Sequence, residues 1–373
     1  MSNQLFVGTR KGLFELKRSA KSWQIQRTWF LGDNVPMLLP DSRDGSLYVA
    51  INHGHFGNKL HRLDSGADKW TEITAPAYPP RPEGLPKVLN SMGSPEPDWK
   101  LQLVWILETA GPDRAGSLWA GTVPGGLFFS PDRGATWELN RPLWDDPSRP
   151  HWVGGGMDQP GVHSVCVDPR DSNRVSLGIS SAGVWQTNDN GKSWSCDGKG
   201  MRAEYMPPEM QFDPKVQDPH RLVQSPTNPD VFWVQHHNGI FHSTDCAKNW
   251  QEISSPPVPA SVFGFAVAVH PRDAGTAWFV PGIKDEKRIP VAGKLIVSRT
   301  HDGGKSFQAL TGGLPQEHAY DLVFRHCLDV DQTGDTLAFG STTGSLFTTD
   351  DGGDQWTRLP HQLPPVYCVR FGN

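Results

Sequence analysis

One eight-residue loop, repeated along the chain, constrains the fold more than any other feature. Residues Ser130-Pro-Asp-Arg-Gly-Ala-Thr-Trp137 read Ser-x-Asp-x-Gly-x-Thr-Trp and follow the apolar run Gly126-Leu-Phe-Phe129. Each position has a local physical role. The Asp132 carboxylate can accept from backbone N–H groups of its own turn, Gly134 supplies a positive φ, and Trp137 opens the next strand as an aromatic anchor. The pattern returns at Thr187–Trp194 and Thr300–Phe307, without its glycine at Ser243–Trp250, and with one inserted residue at Thr348–Trp356. Two upstream segments keep only the anchors Trp23 and Trp70. Anchors at Trp23, Trp70, Trp137, Trp194, Trp250, Phe307 and Trp356 give a period of roughly 50–65 residues, the signature of a propeller or solenoid.

Seven repeats consume all 373 residues, so residues 1–373 form a single domain, all-β, with four antiparallel strands (A to D from the axis outward) in each of seven blades. The 39 glycines and 33 prolines suit a chain built of hairpins, and the 15 tryptophans suit one anchor per repeat. The chain enters a B strand at Leu5-Phe-Val-Gly8 with no A strand before it. Pro365-Val-Tyr-Cys-Val-Arg-Phe-Gly372 reads as an A strand with nothing after it. The last strand should therefore complete the first blade from inside, closing the ring and removing open sheet edges. A net charge of −5 without a basic run argues against nucleic acid and anionic membranes as partners. No signal segment or spanning run is evident, and five cysteines without metal spacing read as reduced thiols, which points to a cytoplasmic protein.

The loop resembles the Asp-box, or BNR repeat, of sialidases, of oligoxyloglucan-type glycoside hydrolases and of a photosystem assembly factor. Three copies keep the pattern fully or nearly so, four are degraded, and the resemblance runs the length of the chain. It implies a propeller and, from the hydrolase members, a carbohydrate substrate. The motif loops are structural in those families, so the resemblance places no active site. It also differs from sialidases. Arg288-Ile-Pro290 falls in the sixth blade rather than ahead of the repeats, and Arg221 and Arg325 make no inward triad for a sialic carboxylate.

The loops point to a site. A–B and C–D turns are short, whereas the D–A connections 75–100, 138–162 and 195–219 and the B–C loops 52–57, 235–238 and 282–290 are long and share one rim. Aligning A strands on Pro40, Pro112, Pro169, Pro226 and Pro271 puts Asn34, Ile106, His163, His220, Phe265, Asp321 and Val366 at one register, where each inner strand should open at that rim. His163 and His220 then stand level on neighbouring blades, with His236 and His237 from the next loop beside them. Arg202, Glu204, Tyr205 and Asp218 come from the loop above. In this reading Glu204 and Asp218 form the carboxylate pair of a glycosidase, assisted by His220, and His163, Arg202, Tyr205, His236, His237 and Trp152 contact the substrate. Trp105 and Trp144 are further ring platforms. No cofactor is required. A divalent ion, if one binds, belongs at His163, His220 and His236, but no spacing pattern fixes its geometry. Set against the glycoside hydrolase are a non-catalytic propeller docking a protein and a metal-dependent hydrolase of a small molecule. Polar side chains that merely line a wet channel would look the same at any single position.

Overall fold

A computed structural model describes residues 1–19, 22–90, 93–154, 159–253 and 263–372. Residues 91–92 and 155–158, within two of the long loops, lie outside the described part. The chain starts with β1 (Gln4–Thr9), β2 (Gly12–Arg18) and β3 (Trp23–Trp29). The second blade is β4 (Asn34–Asp41), β5 (Ser46–Asn52), β6 (Asn58–Leu63) and β7 (Thr71–Ile73), and the third β8 (Leu103–Thr109), β9 (Leu118–Val123), β10 (Leu127–Ser130) and β11 (Glu138–Leu139). The fourth holds β12 (Val162–Val167), β13 (Val175–Ile179) and β14 (Gly183–Thr187), and the fifth β15 (Pro219–Gln224), β16 (Phe232–His236), β17 (Gly239–Ser243) and β18 (Gln251–Glu252). The sixth is β19 (Gly264–His270), β20 (Asp273–Pro281), β21 (Val297–Thr300) and β22 (Gln308–Leu310), and the seventh β23 (Leu328–Val330), β24 (Leu337–Gly340), β25 (Leu346–Thr349) and β26 (Thr357–Arg358). The last strand, β27 (Val366–Phe371), pairs antiparallel with β1 in the order β27-β1-β2-β3.

The protein is therefore a seven-bladed β-propeller. Each innermost strand packs on the next, from β27 through β4, β8, β12, β15 and β19 to β23, which returns to β27. Chain ends close one blade, as the strandless termini of the repeat pattern demanded. The fourth blade departs from four strands. Its outer strand shrinks to a bridge in which Gln186 and Ser195 exchange both backbone hydrogen bonds. Beyond it the chain is drawn to the fifth blade, where Lys199 N donates to Lys248 O and Trp250 N donates to Lys199 O.

The repeated loop is a hydrogen-bonded unit. In the third blade Gly134 N donates to Ser130 Oγ (2.9 Å), Thr136 N to Asp132 Oδ1 (2.8 Å), and the Thr136 hydroxyl to Asp132 Oδ2 (2.6 Å). Asp189 with Ser193, Asp302 with Ser306, and Asp245 with Asn249 repeat it. Arg133 (φ 60) and Gly134 (φ 80) are both left-handed, the geometry of a hairpin turn that follows strand twist. Where the glycine is lost, Ala247 adopts φ 60. The seventh copy contains no insertion. Thr349, Asp351 and Gln355 make the bonds, one register later than the spacing from Thr348 suggests, because the Asp350-Asp351 and Gly352-Gly353 pairs allow either alignment.

The anchors divide into two groups. Trp23, Trp250 and Trp356 are buried, while Trp70, Trp137, Trp194 and Phe307 are half-buried. The half-buried ones reach sideways: Trp137 Nε1 donates to Thr74 O of the second blade, and Trp194 Nε1 donates to Asn140 Oδ1 of the third.

Candidate functional site

At one end of the channel the inner strands share an irregularity. The β8–β9 ladder skips Trp105, β12–β13 skips His163, β15–β16 skips His220, β19–β20 skips Phe265 and Ala266, and β27–β1 skips Tyr367. A bulged residue leaves the ladder and re-aims its side chain. Thus His163 and His220 do occupy equivalent positions on neighbouring inner strands. The register erred at the second blade, where Asn34 pairs with Asn52 and the ladder skips Val35 and Pro36, by one residue at the third, where Trp105 and not Ile106 bulges, and by one at β27, where Tyr367 bulges beyond Val366. It failed at the seventh blade. Asp321 opens no strand there and instead accepts from Ser341 Oγ (2.6 Å) and the Thr343 hydroxyl.

The bulged rings converge. Trp105 meets His163 edge-on at 5.5 Å, and His220 stacks on Phe265 at 4.5 Å. Phe265 meets Phe324, and Phe324 stacks on Tyr367. Arg325, only 7% exposed, bridges the two sides: its guanidinium lies 4.8 Å from the Trp105 ring centre and 5.0 Å from that of Phe265. Its Nε and Nη2 are buried without a hydrogen-bond partner. Burial, with Arg288 nearby, lowers its pKa to about 10 despite the Asp218 charge. Trp105, Phe324, Arg325 and Tyr367, with Asn34, Asn52, Arg288 and His326, line a cavity of about 320 Å³. Deeper in the channel Arg221 and Arg370 donate to the His163 and His326 carbonyls, and burial raises the pKa values of Glu108 and Asp329.

Beside Arg325 is a buried polar centre. Asp218 Oδ2 lies 3.4 Å from His220 Nε2 and 3.4 Å from His237 Nδ1. Its other oxygen accepts from Ser181 N (3.0 Å). His220 Nδ1 meets the Gly264 carbonyl at 2.6 Å, and a carbonyl only accepts, so that nitrogen carries the proton. Burial opposes the Asp218 charge, yet His220, His237 and Arg325 together hold its pKa well below the usual carboxylate range. Burial outweighs Asp218 at His220 and lowers its pKa, whereas at half-buried His237 the Asp218 contact outweighs burial and raises it.

The other expected site residues are placed differently. His236 serves the backbone: its Nε2 accepts from Asp218 N (2.9 Å), and burial takes its pKa down to about 3. It shapes the loop and has no nitrogen free for an ion. His163 sits against Trp105 with Nδ1 on Ser164 Oγ and Nε2 buried without a partner, outside the Asp218 group. Gly178 makes its close approach possible, since a Cβ there would stand 3.0 Å from His163 Cε1. The carboxylate pair of Glu204 and Asp218 does not form. Met201 and Ala203 are buried, so alternation turns Arg202 and Glu204 outward, where Arg202 pairs with Glu204 and with Glu252 of β18. Tyr205 is 43% exposed, packs on His237 at 5.0 Å, and donates its hydroxyl to Val216 O. Trp152, 3% exposed, is a core plug against Trp185 and offers no face to a ligand. Trp144 is buried likewise.

Three participants escaped the register argument. Arg325 lies in an irregular segment with no strand periodicity. Phe263 meets both His220 and His237 edge-on. Asp285, paired with Arg288 at 2.5 Å on the sixth-blade loop, lies near enough for its charge to raise the pKa values of His237 and Arg325. The length of loop 282–290 was the available signal.

No family model matches the chain. It is 25% identical over 276 residues to the oligoxyloglucan-reducing end-specific xyloglucanase of Emericella nidulans, a match covering 66% of this chain and 32% of that protein. The chain thus spans about a third of its curated relative. An ancestral GH74 enzyme superposes with a TM-score of 0.58 at 14% identity, over 87% of this chain and 38% of the other. YCF48 bound to D1 peptide superposes with a TM-score of 0.55 at 14% identity, over 94% and 90%. At such identities the superpositions establish a shared fold, and what those proteins act on or bind remains a statement about them.

Proposed function

We propose that the protein is a hydrolase acting on a carbohydrate at the bulged mouth of its channel. One observation carries this reading. A buried guanidinium with unpaired N–H groups lies between two aromatic rings on the wall of the cavity, close enough to a buried carboxylate flanked by two imidazoles for their charges to interact. An unpaired buried donor is costly unless a ligand completes it. Rings with a fixed donor between them suit a sugar, whose apolar face stacks while its hydroxyl or carboxylate oxygens accept. The sequence similarity to a xyloglucanase supports the substrate class.

The chemistry follows from the polar centre beside Arg325. His220, with its proton committed to Gly264, turns the Nε2 lone pair toward Asp218 and can take a proton from a water positioned there. Glycoside hydrolysis uses two carboxylates, and this reading assigns the second to Asp285, whose charge reaches His237 and Arg325, in place of Glu204. Arg325 orients the sugar. The test is a panel of xyloglucan-derived and other oligosaccharides read by mass spectrometry. Asp218→Asn and His220→Ala should each lower kcat by about 10²–10⁴-fold, Arg325→Met should act chiefly on KM, and Glu204→Gln should change little. Binding without turnover across the panel would remove the hydrolase and leave a propeller that docks a partner.

A further inference from the structure

We infer that Asp218, His220 and His237 form a binding site for one divalent metal ion of the Zn²⁺ type. Their ligand atoms lie within 4.8 Å of one another. Three features of the geometry favour an ion over a simple hydrogen-bonded triad.

The first is distance. Asp218 Oδ2 stands 3.4 Å from His220 Nε2 and 3.4 Å from His237 Nδ1. A charge-assisted N–H···O bond is shorter, about 2.7–2.9 Å. Ligands held at about 2.0–2.1 Å around tetrahedral Zn²⁺ are separated by about 3.3–3.4 Å. Both edges fit the second case.

The second is the direction of lone pairs. The Gly264 carbonyl fixes the His220 proton on Nδ1, so Nε2 turns its lone pair on a carboxylate in a place where His220 is 1% exposed. Two acceptors confronting each other out of water need a cation between them. A metal-bound imidazole characteristically donates its other N–H to a backbone carbonyl, as His220 does, and a ligating carboxylate is itself hydrogen-bonded, as Asp218 is by Ser181 N.

The third is the split between rigid and adjustable donors. Asp218 and His220 are buried on or beside β15, whereas His237 sits half-buried on the β16–β17 turn, its backbone N donating to Asp218 O (3.0 Å). Its ring can swing the last distance onto an ion. Two imidazoles and one carboxylate leave a coordination position open, the arrangement of a catalytic rather than a structural site. A borderline-soft ion suits this donor set better than Ca²⁺ or Mg²⁺, which take oxygen ligands. His163 and His236, read from the sequence as ligands, are excluded by their distance from the group and by the Asp218 N–H bond respectively.

The inference rests on the hydrolase reading only for what the ion would do, namely activate a water in place of the free His220 lone pair, so ion binding itself is tested without substrate. The full-length protein is stripped with chelator, checked for an unchanged fold by circular dichroism, and titrated with Zn²⁺ by calorimetry and with Co²⁺ by absorption. One equivalent should bind, with a four-coordinate Co²⁺ d–d spectrum and no thiolate charge-transfer band. His220→Ala and Asp218→Asn should weaken binding at least 100-fold. Should either misfold, His237→Ala on the half-buried turn should still weaken it at least 10-fold, and Glu204→Gln should leave it unchanged. No binding by folded protein at 100 µM ion, or affinity indifferent to His237→Ala and His220→Ala, or a thiolate band, overturns the site. Failure to bind an ion in folded protein that still turns over a sugar sinks this inference and leaves the hydrolase standing. A tight, variant-sensitive ion without turnover does the reverse.

Discussion

At the scale of single residues, one sequence position conceals two physical roles. Every repeat ends its loop on an aromatic anchor, yet Trp356 is 1% exposed and packed on Phe339, while Trp137 is half-buried and tied to the next blade through Nε1. Removing a fully buried aromatic costs its transfer energy and a cavity, so Trp356→Ala should destabilise by about 3–5 kcal/mol. Trp137→Ala forfeits half the burial and one hydrogen bond to a carbonyl that water can reach, and should cost about 1–2 kcal/mol. Urea unfolding of the two variants checks the order. Equal losses would mean that blade-to-blade contact matters as much as burial. Gly304 makes the same point from the backbone: at φ 86, an added Cβ would stand 2.6 Å from Ile253 Cδ1. Ala247 reaches φ 60 at the same turn position in the fifth blade, but at φ 86 an alanine is strained, so Gly304→Ala should destabilise through its backbone more than through contact with the flexible end of Ile253.

At the scale of the element, the loops act as small acid-sensitive clasps. The Ser193 hydroxyl, then that of Thr187, holds the Asp189 carboxyl down to about 2, and the Ser306 hydroxyl and N–H do the same for Asp302. A carboxyl depressed in the fold contributes stability above its unfolded pKa of about 3.9, and that contribution fades as pH falls toward the folded value. The melting temperature should therefore drop between about pH 4 and pH 2. Asp302→Asn should flatten that part of the profile while lowering the melting temperature at pH 7. A profile unchanged by the substitution would show that the acid transition comes from elsewhere. The bulges are the other informative element. They appear at one height because each of these inner strands stays paired while its mouth end turns a side chain over the channel, and this brings rings from five blades to one mouth.

At the scale of the whole molecule, stability and site share one dependence, the closed ring. β27 pairs along one edge of β1 and packs on β4 and β23, so it is both the innermost strand of a blade and two of the joints between blades. Ending the chain at Pro365 would expose an open edge and remove Val366, Cys368 and Val369 from the core. We expect such a chain to be recovered as aggregate, or to melt at least 10 °C lower. Adding a peptide of residues 364–373 should restore part of the loss. A soluble truncated chain with an unshifted melting temperature would show that the ring needs no clasp. The candidate site would be lost with the ring, since Trp105, His220, Phe265, Arg325 and Tyr367 belong to five different blades.

Repeat spacing alone was enough for the seven-bladed ring, the closure by its last strand, the hydrogen bonds of the repeated loop and the equal height of His163 and His220. These follow from short-range spacing, and a pattern repeated seven times overrules local decay. Only the tertiary structure decided which polar residues meet. Glu204 and Arg202 turn outward because Met201 and Ala203 fill the core on the alternate positions. His236 is consumed by the Asp218 N–H, and Trp152 by Trp185. Arg325, which spans the channel, sits where the seventh blade abandons strand geometry, so periodicity could not reach it. A repeat dictates the height at which a residue stands. Whether its side chain faces the axis, a neighbouring blade or solvent depends on contacts between residues from different blades, far apart in the chain, which repeat spacing does not encode.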